Sequence, residues 1–539
     1  MNIVSNIKKG LNKRLRFLLP MGLGLFLAAC GVGSEDVPGG DTALPLPPQG
    51  VEETQAGGHL VWLSNADANH MDPQLVNNIP SMVFQSQVYE GLVTMNQAGD
   101  VVPVLAESFY PLEPTVWQFN LRSGVYFHDG TPFNAEAVVV TFNRFMDPAV
   151  AAPGFSIIDM VTEVIAIDEY TVHFHTEFPF APLPGHLTIG GGLIVSPTAL
   201  AAYENGTGPS LGEAPVGTGP FIMESRVHGD RTVFVRNENY WGGLPSVETL
   251  TILVIPEPGT RLAMMEAGDA HGFHASAIDI PAIRLMSNVN YFTAAGAATE
   301  YIGFNMTEGH PLSNLYLRQA ISNAIDRTEM IVMMEGLALP ATSMAGPHLA
   351  FAPTGLELKQ QDMDAARELM SRTPWADSGL TLNYWYNEGS TMRSQIGQLL
   401  QFYLAELGIT INITALELGH LLEAASAGEH DIFALNFSAA TGDADRGFHP
   451  LLHSDNHGMP GNRFFYASPV ADDLIDRARQ TTDPSARYAL YEELAQVLAY
   501  DVPMLPLWHM INSFAYTNME GLQVEIRGIP NFTEVTILN

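Results

Sequence analysis

The chain has 539 residues, too many for one ordinary hydrophobic core, so we expect two or more packed domains. Hydrophobic residues make up 46% and charged residues 15%, which is typical of a globular protein and argues against a disordered one. Asp and Glu number 58 against 24 Lys and Arg, a formal net charge of -34, so nucleic acid is a poor candidate partner. We interpret the acidity as a solubility feature, as suits a salty medium.

The first 29 residues have the pattern of a secretory signal peptide. Five cations between Lys8 and Arg16 precede an apolar run from Phe17 to Ala29. This run is shorter than the roughly 20 residues that a membrane-spanning helix needs. We therefore expect residues 1–29 to be removed on secretion.

A lipid anchor is predicted directly after this run. The segment Leu27-Ala28-Ala29-Cys30 resembles the lipobox of bacterial lipoproteins, in which the cysteine is acylated and becomes the new N-terminus. Cys30 is the only cysteine of the chain, so it cannot form an internal disulfide. Residues 30–58 combine the anchor with a stretch rich in Gly and Pro, which predicts a flexible tether to the membrane.

Strands and helices alternate after the tether. Strands are predicted at residues 59–63, 117–121, 161–167, 171–174, 232–236 and 250–255, with helices at residues 135–145 and 260–266. From about Asn314 the helices lengthen and alternate with short strands, a pattern that indicates α/β units. Ser390 and Asp483 are expected to start two amphipathic helices, and Pro503 to Trp508 a late strand.

Enzyme and metal signatures are weak. The sequence has no phosphate-binding Gly-rich loop with Lys and Ser or Thr, and no His-Glu-x-x-His pattern. His449, His453 and His457 have a spacing of four that could align metal ligands on a helix. Pro450 makes a continuous helix there unfavourable, so we interpret these residues as ordinary loop histidines and predict no metal site, no cofactor and no enzyme activity.

Several motifs resemble one protein family in the expected order along the chain. They are residues 88–92 (VYEGL), 103–108 (PVLAES), 119–132 (FNLRSGVYFHDGTP), 215–221 (PVGTGPF), 236–241 (RNENYW), 301–305 (YIGFN), 318–321 (RQAI) and 324–327 (AIDR). This set is similar to the family 5 solute-binding proteins of ABC importers, which include oligopeptide-, dipeptide- and nickel-binding proteins. The resemblance extends from about residue 59 to residue 510.

The resemblance implies a two-lobed α/β clamp of the periplasmic-binding-protein type. The first lobe would comprise residues 59–309 and 505–539 and be enlarged by an inserted subdomain at about residues 99–215. The second lobe would comprise residues 310–504. Two crossovers would form the hinge, and ligand would be enclosed when the lobes close. The expected partner is the membrane permease of the importer, and the expected location is the periplasm or the outer face of the cytoplasmic membrane, with the protein a monomer.

A short peptide is the ligand that the resemblance favours. Thr441 to Arg446 resembles the family's acidic loop, whose aspartate binds the α-amino group, and Asp443 or Asp445 could fill that role, with Asp443 preferred by its position. Arg446 is included among the expected ligand-binding residues. The alternative for this loop is a solvated acidic turn with Arg446 as a local partner. Phe437 stands where the family usually has Trp, which would change the side-chain pocket.

The peptide carboxylate needs a cation, because an unpaired buried charge is very costly. Arg393 lies in the first turn of the helix that begins after Ser390, where a cation opposes the helix dipole. A ligand carboxylate bound between the N–H groups of this turn and the guanidinium would explain why a cation stands there. By the resemblance, dipeptide-binding relatives bind a carboxylate with an arginine at this place. An exposed arginine beside Glu388 is the alternative. For the whole protein, binding of a nickel complex or an oligosaccharide stays open, as does an enzyme or chaperone on the same fold.

Overall fold

The computed structural model describes residues 57–459 and 461–538. The predicted signal peptide, Cys30 and all of the tether except its last two residues lie outside this part of the chain. The helices are α1 (Ile79–Gln85), α2 (Ala135–Met146), α3 (Leu183–His186), α4 (Pro197–Glu204), α5 (Pro258–Ala267), α6 (Ile280–Ile283), α7 (Leu315–Ala324), α8 (Arg327–Val332), α9 (Met363–Met370), α10 (Thr391–Ala405), α11 (Leu418–Ser426), α12 (Ala444–Leu452), α13 (Pro469–Gln480) and α14 (Pro484–Asp501). None of these helices is both long and apolar enough to cross a bilayer.

The strands are β1 (His59–Ser64), β2 (Val93–Met95), β3 (Val101–Pro103), β4 (Ala106–Glu113), β5 (Val116–Leu121), β6 (Val161–Asp168), β7 (Thr171–Thr176), β8 (Phe221–Val227), β9 (Arg231–Arg236), β10 (Thr249–Val254), β11 (Gly272–Ala275), β12 (Asn290–Phe304), β13 (Ala338–Pro340), β14 (Leu380–Asn387), β15 (Ile409–Leu416), β16 (Ile432–Ser438), β17 (Met504–Tyr516), β18 (Met519–Glu520), β19 (Gln523–Val524), β20 (Pro530–Asn531) and β21 (Thr536–Ile537). The predicted mixture of helices and strands is confirmed.

The main sheet has 11 strands, and β12 and β17 lie in its middle. On one side it continues through β11, β1, β10, β9 and β8, and on the other through β16, β14 and β15, while β13 pairs with β17. The antiparallel register between β12 and β17 shifts between Ala295 and Thr299. The long strands β12 and β17 thus connect the part of the sheet that contains β16, β14 and β15 with the part that contains β11, β1, β10, β9 and β8. The names first lobe and second lobe are kept for the two predicted ranges, whose boundaries fall near the ends of these strands.

A second, four-stranded sheet lies inside the predicted insertion. Its order is β4-β5-β7-β6, and all neighbours are antiparallel. Helix α2 packs on it and brings Phe142 against Phe174, with ring centroids 4.8 Å apart in an edge-to-face arrangement. Aromatic pairs of this geometry stabilise a core beyond the area that they bury. This subdomain therefore has a core of its own.

Local capping signals are confirmed in the structure. Asn134 accepts a hydrogen bond from the Ala137 N–H at the start of α2, and Ser390 accepts one from Arg393 at the start of α10. Asp483 caps α14 in the same way through Ala486. Each cap satisfies one of the N–H groups that the first helical turn leaves without a partner.

The loop interpretation of the three histidines is wrong for His449. Helix α12 extends through both His449 and Pro450 and ends at Leu452, so only His453 and His457 lie beyond it. A proline removes one hydrogen bond from a helix, and near the helix end this loss is small. The three residues still do not share one continuous helix.

Candidate functional site

The acidic loop, Thr441 to Arg446, follows strand β16 and continues into the first turn of helix α12, and it contacts the first lobe. Gly442 has a φ of +71°, and a side chain at this position would meet Met95 and the Gly99 carbonyl. A side chain at Gly185 would likewise meet the Thr441 carbonyl. Glycines at both positions allow the backbones of the two lobes to approach each other closely. The sequence-predicted site is therefore at the contact between the lobes.

Asp443 is engaged by an arginine that the sequence did not suggest. Its two carboxylate oxygens accept hydrogen bonds of 2.6 and 2.7 Å from Arg487, and one of them also accepts the Asp445 N–H at 2.8 Å. Only 2% of the Arg487 side chain is exposed. Burial favours the neutral form of Arg487, but Asp443 outweighs this and raises its pKa. The negative charge of Asp443 is thus compensated inside the protein.

Asp445 connects the lobes. One oxygen lies 3.2 Å from Nε of Arg479, and the other lies 3.4 Å from Nε2 of His186 in the first lobe. Nδ1 of His186 lies 2.6 Å from the Ile157 carbonyl oxygen. Because a carbonyl oxygen can only accept a hydrogen bond, Nδ1 carries a proton and donates it to Ile157. Burial favours protonated Asp445, but Arg479 and then His186 outweigh it and lower the pKa of the carboxyl group.

Arg393 forms a buried ion pair. Its guanidinium donates hydrogen bonds of 2.6 and 3.0 Å to the two oxygens of Glu300 and another to Asn387. Glu300 is 1% exposed and lies on β12. This partner explains a cation in the first turn of α10 without a ligand. The role of Arg393 in binding a carboxylate stays a prediction.

Arg446 differs from every other described arginine. Within residues 57–459 and 461–538, it is the one arginine whose guanidinium makes no hydrogen bond and no ion pair. It lies over the Phe437 ring, with its central carbon 5.4 Å from the ring centroid. Burial lowers the pKa of Arg446, and the nearby carboxylates of Asp445 and Asp159 only partly oppose this. Arg446 is therefore a cation held over an aromatic ring and ready to accept an anion.

A cavity of about 370 Å³ opens between the lobes beside the acidic loop. Asp443, Arg487 and Phe351 line it from the second lobe, and Trp117 and Gly185 line it from the first. Binding sites commonly combine apolar walls with a few convergent polar groups. Of the predicted site residues, Asp443 lines this cavity. Asp445 and Arg446 follow it in the first turn of α12, and Arg446 lies over Phe437, so these four residues are neighbours. Arg393 lies apart in its own pair with Glu300.

The three histidines have partners within the protein. Nε2 of His449 is 2.8 Å from the Arg479 guanidinium, and burial followed by the charge of Arg479 lowers the pKa of His449 to about 3. Nε2 of His457 is 2.9 Å from the Tyr466 carbonyl. Over the described ranges, no three His, Cys, Asp or Glu side chains are grouped so as to hold a metal ion.

The charged partners at the site were missed by sequence reasoning. Arg487 is 44 residues from Asp443, and Glu300 is 93 residues from Arg393. His186 comes from the other lobe. No local motif connects such distant positions, and the sequence offered only the general excess of acidic over basic residues.

Comparison with known proteins identifies the family. Residues 100–459 match the family described as bacterial extracellular solute-binding proteins, family 5 middle. The chain belongs to this family. It is 29% identical over 449 residues to the glutathione-binding protein GsiB of Shigella flexneri, a match that covers 81% of this chain and 86% of the relative. The predicted recognition as a family 5 solute-binding protein of an ABC importer is confirmed.

Solved structures agree with the fold. The periplasmic binding protein DppA from Helicobacter pylori, in complex with the peptide STSA, has a TM-score of 0.76 and 25% identity, and the match covers 90% of this chain and 99% of DppA. NikA from Brucella suis in complex with Fe(III)-EDTA has a TM-score of 0.78 at 23% identity, with coverage of 89% and 100%. The predicted two-lobed α/β clamp is confirmed.

Proposed function

We propose that this protein captures short peptides with a free carboxylate between its two lobes and delivers them to the permease of an ABC importer. The observation that carries this proposal is Arg446, a half-buried guanidinium over Phe437 that makes no hydrogen bond and no ion pair in the part of the chain that the structure describes. A buried cation without an anion is costly, and a ligand carboxylate would remove that cost. The related GsiB and DppA, named as glutathione-binding and bound to a peptide, support a peptide over other solutes.

The ligand ammonium group would bind at Asp443. A carboxylate offers about four lone-pair positions. Asp443 receives three hydrogen bonds from the protein and lines the cavity between the lobes, so one position is left for an ammonium group. Phe437, beside Arg446, would contact the intervening backbone. Cys30 would carry the lipid that holds the protein at the outer face of the membrane.

Ligand identity is tested by mass spectrometry of the small molecules released when the purified protein is denatured. We expect a set of short peptides. A metal chelate, which NikA shows to be compatible with this fold, or a sugar would overturn the peptide assignment and keep the transport role.

The carboxylate contact is tested by calorimetric titration with a tripeptide and with the same tripeptide as a C-terminal amide. Arg446→Gln is expected to weaken binding of the free acid on the order of 100-fold, since a buried charged group would lose its partner. The variant should also bind acid and amide about equally. Arg367→Gln, which breaks an exposed ion pair with Glu406, is the matched control and should bind as the unmodified protein does. Unchanged preference for the acid in Arg446→Gln would contradict the assignment.

A further inference from the structure

A second cavity is lined mainly by the second lobe and by the start of β17, and it shares no lining residue with the cavity beside the acidic loop. It measures about 100 Å³, enough for a few water molecules or a small anion. Helix α8 contributes Arg327, helix α7 contributes Ser322, and the chain before α9 contributes Lys359. The remaining wall is largely apolar and includes Leu498 and Val502. Two cations thus face a small space. Glu357 is the acidic side chain on its wall, and in the described part of the chain it pairs with neither cation.

Arg327 is poorly satisfied by the protein. It is 8% exposed, and its Nε has no hydrogen-bond partner among the residues that the structure describes. Its three contacts are carbonyls at 3.3 to 3.5 Å, longer than the 2.7–3.2 Å of an ordinary N–H···O bond. Within the described ranges it has no ion pair, and burial lowers its pKa. A buried guanidinium in this condition is expected to have an external acceptor.

Arg318, nine residues earlier, is a buried arginine whose hydrogen bonds are satisfied without an acidic partner. It is also buried, at 6% exposure, and it donates five hydrogen bonds of 2.7 to 3.1 Å to carbonyls. Arg327 has the same burial but not these contacts. Backbone carbonyls alone can therefore satisfy a buried arginine in this chain, and at Arg327 the carbonyls are too few and too distant to do so.

Lys359 adds a second positive charge at the mouth of the cavity. It is the only lysine after Lys13 in a chain of net charge -34, so its place beside Arg327 is the reverse of the overall charge pattern. Burial lowers the pKa of Lys359, and the neighbouring charge of Arg327 lowers it further. Glu357 also lines the mouth, but it forms no ion pair with either cation in the described part of the chain.

We propose that Arg327 and Lys359 form a binding site for a small oxyanion, a carboxylate or a phosphate. A planar guanidinium and an ammonium group are the donors that such anions prefer. The bound anion would connect the segment at residues 352–362, which has neither helix nor strand, to α8 and to the start of β17. It would act as a structural ligand of the second lobe, independent of the transported solute.

The test uses the full chain with sodium phosphate, sodium acetate and, at equal ionic strength, sodium chloride. We expect phosphate or acetate to raise the thermal midpoint by on the order of 2 °C more than chloride does. Reductive methylation with labelled formaldehyde gives each of the four lysines an NMR signal, and the signal absent from Lys359→Arg belongs to Lys359. That signal should shift and saturate with the same anion.

Variants locate the effect. Lys359→Gln and Arg327→Gln should abolish the additional rise, while Lys359→Arg should retain it because it keeps the charge. Lys359 is exposed, so its variants keep the test decisive even where Arg327→Gln does not fold. A response to phosphate alone or acetate alone identifies the anion class and supports the site. No response beyond that to chloride, or an unchanged rise in Lys359→Gln, overturns the proposal.

Discussion

Buried charges at the lobe contact differ in whether the protein compensates them. Asp443 and Arg487 form a two-pronged pair, and Asp445 has Arg479 and His186. In both cases the charge of the carboxylate is compensated by side chains of the protein itself. Among the described residues Arg446 has no acidic partner within ion-pair distance, and this difference is the basis for proposing that it binds a ligand carboxylate.

Removing the Asp443 carboxylate is expected to destabilise the protein. Asp443→Ala leaves Arg487 buried without an acid and also removes the cap of α12. Breaking a buried pair in this way costs about 3–5 kcal/mol. Urea unfolding followed by circular dichroism measures the change. Asp473→Ala, which breaks an exposed pair with Arg477, should cost at most about 1 kcal/mol. An equal, small loss in both variants would mean that Asp443 serves ligand binding and contributes little to folding.

For single residues, the sequence predicts a role correctly where the interacting groups are close together in the chain. Ser390 and Asp483 were recognised because a cap and its helix are adjacent in the chain. The pairing of Asp443 with Arg487 depends on how α14 packs beside the acidic loop, which no short pattern records. The acidic loop could therefore be located from its motif, while the satisfaction of its charges required the structure.

At the scale of elements, the shared strands β12 and β17 were only partly predicted. The expected strand at residues 503–508 covers the beginning of β17, which continues to Tyr516. Strands in the middle of a sheet are buried on both faces, so the alternation that marks a strand in sequence is weak there. For the same reason most of β12 was not predicted as a strand. Only its end was noticed, as part of the motif at residues 301–305.

The acidic loop should be sensitive to a single added methyl group. Gly442→Ala places a methyl group against Met95 and within 3.1 Å of the Gly99 carbonyl, so it should hold the lobes apart. We expect ligand affinity to fall on the order of 10-fold or more, because the ligand stabilises the closed form through contacts with both lobes. Small-angle scattering with ligand should show a larger radius of gyration than for the unmodified protein.

Gly206→Ala is the matched control for this substitution. Gly206 has a similar backbone angle, φ +66°, and nothing lies within 4 Å of an added methyl group. Both variants share the cost of a left-handed alanine, on the order of 1 kcal/mol, and only Gly442→Ala adds the contact between lobes. Equal affinity and equal radius of gyration in the two variants would show that the loop does not limit closure.

The whole molecule carries a charge of -34, and this charge opposes compactness. Exposed ion pairs such as Arg367 with Glu406 compensate little of it, since each is worth about 0–1 kcal/mol. Repulsion among the remaining carboxylates acts within each lobe and between lobes. The anion site proposed in the second lobe is a local exception, because two cations meet there.

Salt is therefore expected to stabilise the protein. Raising sodium chloride from about 0.01 M to about 1 M shortens the screening length from about 30 Å to about 3 Å, so repulsion among like charges fades. The thermal midpoint should rise by several degrees, with most of the rise below about 0.3 M. Tetramethylammonium chloride, which screens equally but has a different cation, should give the same low-salt rise if screening is the cause. A midpoint that falls with salt would instead mean that ion pairs dominate and that the acidic surface does not destabilise the fold.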